Sequence, residues 1–284
     1  MRQVYVNGEF LAEDMAKVSV FDRGFLFADA VYEVTSVVDG RLIDFDGHIQ
    51  RLRRSLAELK MPFTLTDAEM LAAHRRIVEL NDLTEGVIYL QVTRGAADRD
   101  FAFPPRDTPN TVVLFTQVKN LVDNPAARNG QSVVTIDDIR WGRCDIKTVQ
   151  LLYPSLAKSE AIGRGADDAW LVRDGEVTEG SSNNAYIVTK DGTIVTRPLS
   201  NSILHGITRV AVLDVAKSLQ MKVEERTFTV EEAENAREAF ASSAGGFVAP
   251  VVKINDTVLG DGTPGPVSQR LRDHYIQRVR ESAI

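Results

Sequence analysis

The sequence predicts an α+β fold, in which strands and helices mix without a regular β-α-β alternation. The pairs Asn7-Gly8 and Asp39-Gly40 each separate two extended runs, and such pairs tolerate the positive φ angles of a tight hairpin turn. Apolar residues then recur at helical spacing over residues 46–59 and 66–80. No GxGxxG motif follows a predicted strand, which argues against a nicotinamide-binding Rossmann unit.

The composition is that of an acidic globular protein. Hydrophobic residues make up 44% and charged residues 26% of the 284 residues, a length that suits about two domains. The net charge of −7 argues against nucleic acid as a partner. Cys144 is the single cysteine, which suits a reducing compartment, and no apolar run is long enough for a signal peptide or a membrane span. We expect a soluble, cytoplasmic protein without a metal site.

The first part of the chain predicts two hairpins followed by two helices. Along the second hairpin, period-2 alternation places Tyr32, Val34 and Ser36 on one face of the strand. Thr66 and Glu69 form the ends of a capping box that opens the second helix. Strands near residues 87–92 and 111–117 complete this unit. Between them lies "RGAADRDFAFPPRDTP", and charged loops of this length in compact domains are more often functional than accidental.

A domain boundary is predicted at the polar, turn-rich segment of residues 120–131. The predicted organisation is therefore an N-terminal α+β domain over residues 1–119, a linker over 120–131 and a second domain over 132–284. Strands are expected in "VVTI", "AWLV", "AYIVT" and "TIVT", and helices near residues 154–162, 207–219 and 266–282.

Lys147 lies in "RCDIKTVQLLY", a run that otherwise resembles a hydrophobic core. Among Ile146, Val149 and the two leucines that follow, an ammonium group would lose hydration, and the charged form would be disfavoured. A desolvated amine stays neutral and nucleophilic, and it condenses with an aldehyde. The alternative is a lysine that extends its amine to the surface, and for a lysine without further support this is the common case.

A pyridoxal phosphate site also needs an acid for the ring nitrogen and donors for a phosphate. Glu179 in "VTEGSSNNAYIV" is a candidate acid, although its spacing alone favours a simple turn carboxylate. In "SILHGITRV" a helix begins after Gly206, and a helix start presents unpaired N–H groups to an anion. The alternative there is ordinary helix capping. The small residues of "ASSAGGFVAP" form a second donor-rich loop or a tight bend.

The motifs "DRGFLFADAVYEV", "HIQRL", "QVTRG", "DIK", "TEGSSNN", "LHGITR" and "ASSAGG" occur in this order. In them the chain resembles the fold-type IV pyridoxal phosphate enzymes, the family of the D-amino-acid and branched-chain aminotransferases, and most closely the D-amino-acid branch. The resemblance implies a two-domain architecture with the active site in the cleft between the domains. It also implies a C-terminal α/β pseudo-barrel domain that carries the catalytic lysine, Lys147.

The resemblance further implies that Lys147 bonds to the cofactor and that Glu179 pairs with the pyridinium nitrogen, while Leu204 backs the ring. The remaining residues implied to bind the cofactor, mostly through its phosphate, are Arg51, Ser182, Gly206, Ile207, Thr208, Ser243 and Ala244. Arg51 also has the alternative role of a solvated arginine on its helix.

In the D-amino-acid branch an arginine and a tyrosine hold the substrate carboxylate, and the arginine reaches in from the partner subunit. Arg99 and Tyr32 match these positions, and Val34 and Ser36 share the strand face of Tyr32. The family's histidine two residues after the arginine is replaced by Phe101, which removes a donor. The alternative for Arg99 is a solvated loop charge.

The expected function is pyridoxal-phosphate-dependent transfer of an amino group from a D-amino acid, such as D-alanine, to a 2-oxo acid in a homodimer. The same motifs occur in branched-chain L-amino-acid transaminases, in (R)-amine transaminases and in aminodeoxychorismate lyase, so these activities stay open. A non-catalytic binding protein with a structural Lys147 is the third possibility.

Overall fold

The computed structural model describes residues 1–284, and the chain divides into two compact units. The first unit comprises Met1–Asn120, Ile146–Gln150 and Ser282–Ile284, and the second comprises Leu121–Asp145 and Leu151–Glu281. The chain therefore contributes to the first unit three times. Both units mix helices with sheets, so the α+β fold expected from the sequence is confirmed.

The first unit is built on a six-stranded antiparallel sheet with the strand order β2-β1-β6-β5-β3-β4. Its elements are β1 (Gln3–Val6), β2 (Glu9–Ala12), α1 (Arg23–Phe27), β3 (Ala30–Val38), β4 (Arg41–Leu42), α2 (Phe45–Glu58), α3 (Asp67–Leu80), β5 (Gly86–Thr93) and β6 (Val112–Val118).

Both hairpins of the first unit turn where the sequence predicts. Asn7 and Gly8 have φ angles of 50° and 102°, and Asp39 and Gly40 have φ angles of 53° and 72°. Two successive residues with positive φ match the twist of the flanking strands, and asparagine, aspartate and glycine adopt this conformation at low cost. The hairpins therefore fix the register of β1 with β2 and of β3 with β4.

Helices α2 and α3 provide the apolar side of the first core. The predicted capping box is present, because the Thr66 N–H donates to Glu69 Oε2 at 2.7 Å and the Glu69 N–H donates to Thr66 Oγ1 at 3.2 Å. Ile49, Leu52 and Ile77 are buried in one cluster with apolar residues of β3, β5 and β6. Burial of one such side chain stabilises a fold by about 1.5–3 kcal/mol.

The second unit contains a nine-stranded mixed sheet with the order β12-β11-β10-β13-β14-β7-β8-β9, in which β15 also pairs with β14. Its elements are α4 (Pro125–Asn129), β7 (Gln131–Asp137), α5 (Leu152–Gly163), β8 (Asp168–Arg173), β9 (Glu176–Gly180), β10 (Asn184–Val188), β11 (Ile194–Thr196), α6 (Ile207–Ser218), β12 (Val223–Glu225), α7 (Val230–Glu234), β13 (Glu238–Ser243), β14 (Phe247–Ile254), β15 (Thr257–Val258) and α8 (Pro266–Ser282).

The segment predicted as a linker is ordered in the structure. Leu121 is buried, and α4 begins at Pro125 with the Asn124 side chain accepting from the Ala126 N–H at 2.9 Å. Arg272 on α8 donates to the backbone oxygens of Leu121 and Val122. These contacts join residues 121–130 to the second unit, so little of the predicted linker behaves as a connecting chain.

The segment that carries Lys147 belongs to the first unit, whereas the sequence-based division assigns it to the C-terminal domain. Ile146 is buried in the first core, and the Val149 N–H donates to the Ala30 oxygen at 3.2 Å. The Tyr32 N–H donates to the Lys147 oxygen at 3.0 Å, and Val31 and Thr148 form an isolated antiparallel bridge. Backbone pairing with β3 decides this assignment, and a linear pattern does not reveal such pairing.

The C-terminal residues also return to the first unit. The Leu42 N–H donates to the Ile284 oxygen at 2.8 Å, and the Ile284 N–H donates to the Leu42 oxygen at 3.1 Å. The last residue therefore pairs with Leu42 of β4 through two backbone hydrogen bonds. No helix of the structure combines the length and the hydropathy that a membrane span requires.

Candidate active site

Lys147 is half-buried and its backbone is fixed against the first unit. Besides the bond to Tyr32, its N–H donates to Ser55 Oγ at 3.4 Å. The Lys147 Nζ atom lies 4.0 Å from the centroid of the Tyr32 ring, within cation–π distance. The expectation that leucines surround this lysine is wrong. Leu151 and Leu152 are 37% and 76% exposed, because they begin α5 instead of continuing the buried segment.

Tyr32 stands at the end of an aromatic ladder across β3, β5 and β6. Its ring stacks on Tyr89 at 5.4 Å, and Tyr89 stacks on Phe115 at 4.8 Å. The alternation predicted from the sequence holds here, since Tyr32 and Val34 are both half-buried on one face. Ser36 follows on the same face but is buried. The structure thus brings Lys147 and Tyr32 together, with Val34 next along the strand.

Arg51 is buried rather than solvated, and its guanidinium is bound to a glutamate of β3. Arg51 donates through Nε to Glu33 Oε1 at 2.8 Å and through Nη2 to Glu33 Oε2 at 2.6 Å. His48 Nδ1 lies 2.8 Å from Glu33 Oε2. Burial alone would raise the pKa of Glu33, but the charge and hydrogen bonds of Arg51, with His48, lower it to about 2. Arg51 is therefore held by a permanent carboxylate.

Arg99 is exposed on the loop between β5 and β6. Its guanidinium carbon lies 5.3 Å from the Phe27 ring centroid and 5.6 Å from the Phe101 ring centroid. The two rings meet edge to face at 5.6 Å. Phe101, which replaces the donor expected at this position, therefore contacts Arg99 through its aromatic face and not through a hydrogen bond.

Two buried arginines fix the start of this loop. Asp29 Oδ2 accepts from Arg23 Nε at 2.8 Å and from Arg94 Nε at 2.7 Å. Arg23 also donates to the Asp100 oxygen at 2.7 Å, and the Arg94 guanidinium stacks on Phe103 at 3.8 Å. Hydrogen bonds between charged groups are among the strongest in proteins, so Arg23 and Arg94 fix the start of the loop that carries Arg99.

In the second unit, Glu179 is a buried residue at the end of β9 with both carboxylate oxygens engaged. Oε1 accepts from Arg140 Nη1 at 2.6 Å. Oε2 accepts from the Leu204 N–H at 3.0 Å and from Asn184 Nδ2 at 3.1 Å. Burial raises the pKa of Glu179, and the Arg140 charge opposes that rise without cancelling it. Glu179 is thus a structured acceptor and not a loose turn carboxylate.

Asn184 closes a small polar cradle around Glu179. Its Nδ2 atom also donates to the Leu204 oxygen at 3.0 Å, which ties the loop before α6 to the start of β10. A Cβ atom at Gly206 would lie 2.1 Å from Asn184 Oδ1, so a larger residue there would displace the Asn184 side chain. Helix α6 begins after Gly206 without a side-chain cap, and the N–H groups of Ile207 and Thr208 belong to its first turn.

The small polar residues of the two remaining motifs differ in exposure. Ser182 is exposed, whereas Ser181 is buried and donates to Asp168 Oδ1 at 2.5 Å. Ser243 and Ala244 are half-buried at the end of β13, where the Gly246 N–H donates to the Ser243 oxygen at 3.3 Å. Ser181 therefore orders the turn after Glu179, and Ser243 opens a tight bend.

Comparison with known proteins identifies the family. The family model described as amino-transferase class IV matches residues 30–254, most of the chain. The chain belongs to the class IV aminotransferases. It is similar to a D-alanine aminotransferase of Staphylococcus aureus, with 38% identity over 286 aligned residues and full coverage of both chains. A D-alanine aminotransferase of Bacillus licheniformis is 37% identical and covers 95% of this chain and 94% of its own.

Solved structures of class IV aminotransferases share the fold. A branched-chain amino acid aminotransferase from a T.th. strain, solved with pyridoxamine 5'-phosphate, has a TM-score of 0.89 and 27% identity. The match covers 98% of this chain and 94% of that chain. This chain is therefore a pyridoxal-phosphate-dependent aminotransferase, and the fold-type IV assignment made from its seven motifs is confirmed.

The residues of this aminotransferase fit its cofactor. Helix α6 opens with a first turn that no side chain caps, next to Gly206, which suits a phosphate. The Glu179 carboxylate is an acceptor that suits a protonated ring nitrogen. Lys147 offers a half-buried amine beside an aromatic ring.

Sequence reasoning missed the side chains that hold the predicted site residues in place: Asp29, Glu33, His48, Arg94, Asp138, Arg140 and Asn184. Two signals pointed to some of them. Glu33 lies in a β-branched strand between Val31 and Thr35, and His48 and Arg51 are three residues apart on one helix, which places them on one face. For Arg140 the sequence carries no comparable signal, since its partner Glu179 is 39 residues away.

Proposed function

We propose that this aminotransferase moves the amino group of a D-amino acid, such as D-alanine, to a 2-oxo acid. The observation that carries the proposal is the full-length identity of 38% to a D-alanine aminotransferase. The aligned region spans the whole chain of both proteins, whereas the solved branched-chain enzyme is 27% identical.

In this proposal the chain's own residues divide the work on the cofactor. Lys147 would bind it through Nζ. Once free, its amine would take the proton from the α-carbon of the amino donor and, in the second half of the reaction, give a proton to the α-carbon of the 2-oxo acid. Glu179 accepts from the ring nitrogen, and Leu204 lies against the ring. The phosphate is held by Arg51, by Ile207 and Thr208 at the start of α6, and by the turn at Ser243 and Ala244. Ser182 and Gly206 also bind the cofactor. When bound, pyridoxal phosphate supplies a ring that accepts the electrons of the α-carbon.

Arg99 and Tyr32 are proposed to hold the substrate carboxylate, with Val34 and Ser36 on the strand face of Tyr32. A guanidinium is the best carboxylate receptor among side chains. The exposed position of Arg99 on an anchored loop supports a role toward a partner subunit, so we propose a homodimer in which Arg99 serves the other copy. A cytoplasmic location is proposed on the single buried cysteine, Cys144.

Covalent labelling tests the cofactor role of Lys147. Borohydride reduction of the yellow wild-type protein should attach the cofactor to Lys147, and mass spectrometry should find it on the peptide that contains this residue. Lys147→Ala should be colourless and at least about 10³-fold less active. Lys190→Ala, a change at an exposed lysine, is the matched control and should behave as the wild type. Cofactor attached elsewhere would reject this assignment.

Single-turnover bleaching with D-alanine, L-leucine and an (R)-amine tests the substrate. D-alanine should react fastest, by at least about tenfold. A faster reaction of L-leucine would favour branched-chain L-amino-acid transamination, the alternative supported by similarity to the solved branched-chain enzymes. Either outcome leaves the cofactor assignment intact.

Steady-state kinetics test the carboxylate role of Arg99. Arg99→Ala should raise the KM for D-alanine about tenfold or more, because a charged hydrogen bond contributes about 1.5–3 kcal/mol. Arg106→Ala on the same loop is the control, since Arg106 is equally a loop arginine and is exposed. An unchanged KM in Arg99→Ala would place the carboxylate site elsewhere.

A further inference from the structure

The carboxylate of Glu179 receives three hydrogen bonds from the protein, and one of the donors is charged. The charged donor is Arg140, at 2.6 Å from Oε1, and the two neutral donors from Leu204 and Asn184 both go to Oε2. An ionised carboxylate has about four acceptor positions. The protein donors therefore leave one acceptor position, on the oxygen that Arg140 contacts.

Arg140 is itself held in place by a second carboxylate. It donates to Asp138 through Nε at 2.9 Å and through Nη2 at 2.8 Å, a bidentate pair. The Asp138 side chain is fully buried and also accepts from Thr178 Oγ1 at 2.8 Å. A bidentate pair fixes the plane of the guanidinium. The remaining nitrogen, Nη1, is thereby directed to Glu179, and this geometry needs no contribution from any other unit of the chain.

The charges around Glu179 are nearly balanced. Arg140 and Asp138 face it directly, and their effects on the pKa of Glu179 have opposite signs. Arg173 Nη2 lies 3.3 Å from Asp138 Oδ1, and burial raises the pKa of the nearby Cys144 thiol to about 11, so that thiol is neutral. Arg140 is thus the cation that opposes the burial of Glu179.

We propose that Arg140 is a positioning residue for the cofactor ring. Arg140 keeps Glu179 ionised and directs the last acceptor position of the Glu179 carboxylate toward the ring nitrogen. The proposal rests on the proposed role of Glu179. Without Arg140, burial would be opposed only by the neutral donors, and Glu179 would take up a proton at a higher pH. A protonated Glu179 carries no charge to pair with a pyridinium, so the affinity for the cofactor would fall as the pH is lowered.

The pH dependence of cofactor binding tests this role, and the fall in affinity at low pH is called the acid limb. Pyridoxal phosphate is titrated into the full-length apoprotein between pH 6 and 9, with tryptophan fluorescence as the signal. Arg140→Gln should shift the acid limb upward by about 1 pH unit or more, with about tenfold weaker binding at pH 6.5 and recovery toward pH 9. Arg140→Lys retains a cation and should restore most of the wild-type limb.

Asp138→Asn provides a change of opposite sign. It removes the anion that shares Arg140, so the Arg140 charge acts more fully on Glu179, and the acid limb should move to lower pH. Arg173→Gln is the matched control, because Arg173 contacts Asp138 but not Glu179, and its limb should stay near that of the wild type.

Shifts of the acid limb in opposite directions in Arg140→Gln and Asp138→Asn support the proposal. If Arg140→Gln does not fold, the direction of the shift in Asp138→Asn still tests it. Unshifted limbs with uniformly weaker binding would overturn it, since a merely structural arginine lowers affinity at every pH. A wild-type protein that binds no pyridoxal phosphate would reject the proposed function itself, whereas normal wild-type binding with unshifted limbs rejects the role of Arg140 alone.

Discussion

Two buried glutamates of this chain each contact an arginine at the same distance, yet their pKa values shift in opposite directions. Glu33 in the first unit and Glu179 in the second each accept from a guanidinium nitrogen at 2.6 Å. Burial would raise the pKa of both carboxyl groups. The pKa of Glu33 nevertheless falls to about 2, whereas the pKa of Glu179 rises above its ordinary value.

The difference lies in what else the arginine contacts. Arg51 donates to Glu33 through two nitrogens, and His48 adds a further hydrogen bond. Arg140 gives a bidentate pair to Asp138 and only one nitrogen to Glu179. Asp138 also repels the charge of Glu179 directly. The charge of Glu33 is thus well compensated by Arg51. Arg140 is shared between Asp138 and Glu179, so it compensates the charge of Glu179 only in part.

A short Arg–Glu distance does not by itself define the role of the pair. The Glu33 pair has its charge satisfied within the protein and serves to hold Arg51. The Glu179 carboxylate retains a need for a further positive group, which suits a residue that meets a protonated ring nitrogen. The direction of the pKa shift, and not the Arg–Glu distance, separates the two glutamates, and it supports the role proposed for Glu179.

The largest expected effect is on stability at Glu33. Glu33→Ala leaves the buried Arg51 and His48 without their anion, and loss of one partner of a buried pair costs about 3–5 kcal/mol. Urea denaturation of the apoprotein at pH 7 measures this. Glu33→Gln keeps the shape and should cost less. A change below about 1 kcal/mol in Glu33→Ala would contradict the view that this pair is structural.

The pH dependence of stability extends the comparison to a buried base. Burial lowers the pKa of His74 to about 4, and its Nε2 atom has no hydrogen-bond partner. Between pH 6.5 and about 4 the unfolded chain binds the proton that the folded chain excludes. The free energy of unfolding should therefore fall as pH falls through this window, by at most ~1.4 kcal/mol per pH unit.

His74→Leu checks this assignment by urea denaturation at a series of pH values. The variant should lose most of the slope between pH 6.5 and 4, whatever its absolute stability. A slope equal to that of the wild type would mean that other groups cause it. His274, which is exposed, provides the control substitution, and His274→Leu should leave the slope unchanged.

Glu179 should respond to the same amide substitution with a sign opposite to that of Glu33. Because its folded pKa is raised by burial, ionisation of Glu179 costs the apoprotein stability at pH 7, and Glu179→Gln should raise the free energy of unfolding. Cofactor must be absent during the urea titration, since a bound ligand adds its own stabilisation. Equal destabilisation by Glu33→Gln and Glu179→Gln would refute the contrast between the two sites.

The smallest expected effect is at an exposed ion pair. Arg76 and Glu79 lie 3.0 Å apart on α3, with side chains 55% and 65% exposed. Solvent screens such pairs, so Arg76→Gln should change the free energy of unfolding by less than about 0.5 kcal/mol. Thermal or urea unfolding measures it, and a larger loss would mean that arginine–glutamate pairs in this chain stabilise it regardless of burial.

Local patterns predicted much of the fold. The Asn-Gly and Asp-Gly hairpins, the Thr66 capping box and the helix over Pro266–Ser282 all lie where the sequence places them. Each depends on residues close in sequence, and such short-range preferences survive in the folded chain. The assignment of Lys147 to the second unit failed because the backbone of residues 146–149 pairs with β3, more than a hundred positions earlier.

The same division applies to the site. Seven ordered motifs predicted the family, the cofactor and Lys147, and comparison with known proteins confirmed the family and the cofactor. The roles of the individual site residues stay a prediction. Sequence reasoning found the residues that resemble a known pattern and missed the side chains that hold them, among them Glu33 and Arg140.

The sequence by itself determined the turns, the helix starts and the chemical types of group available, because these follow from neighbouring residues. Only the tertiary structure decided which arginine neutralises which carboxylate and how completely. The physical reason is that burial and charge compensation depend on groups distant along the chain, such as Glu33 with Arg51 and Glu179 with Arg140, and no local pattern carries that information.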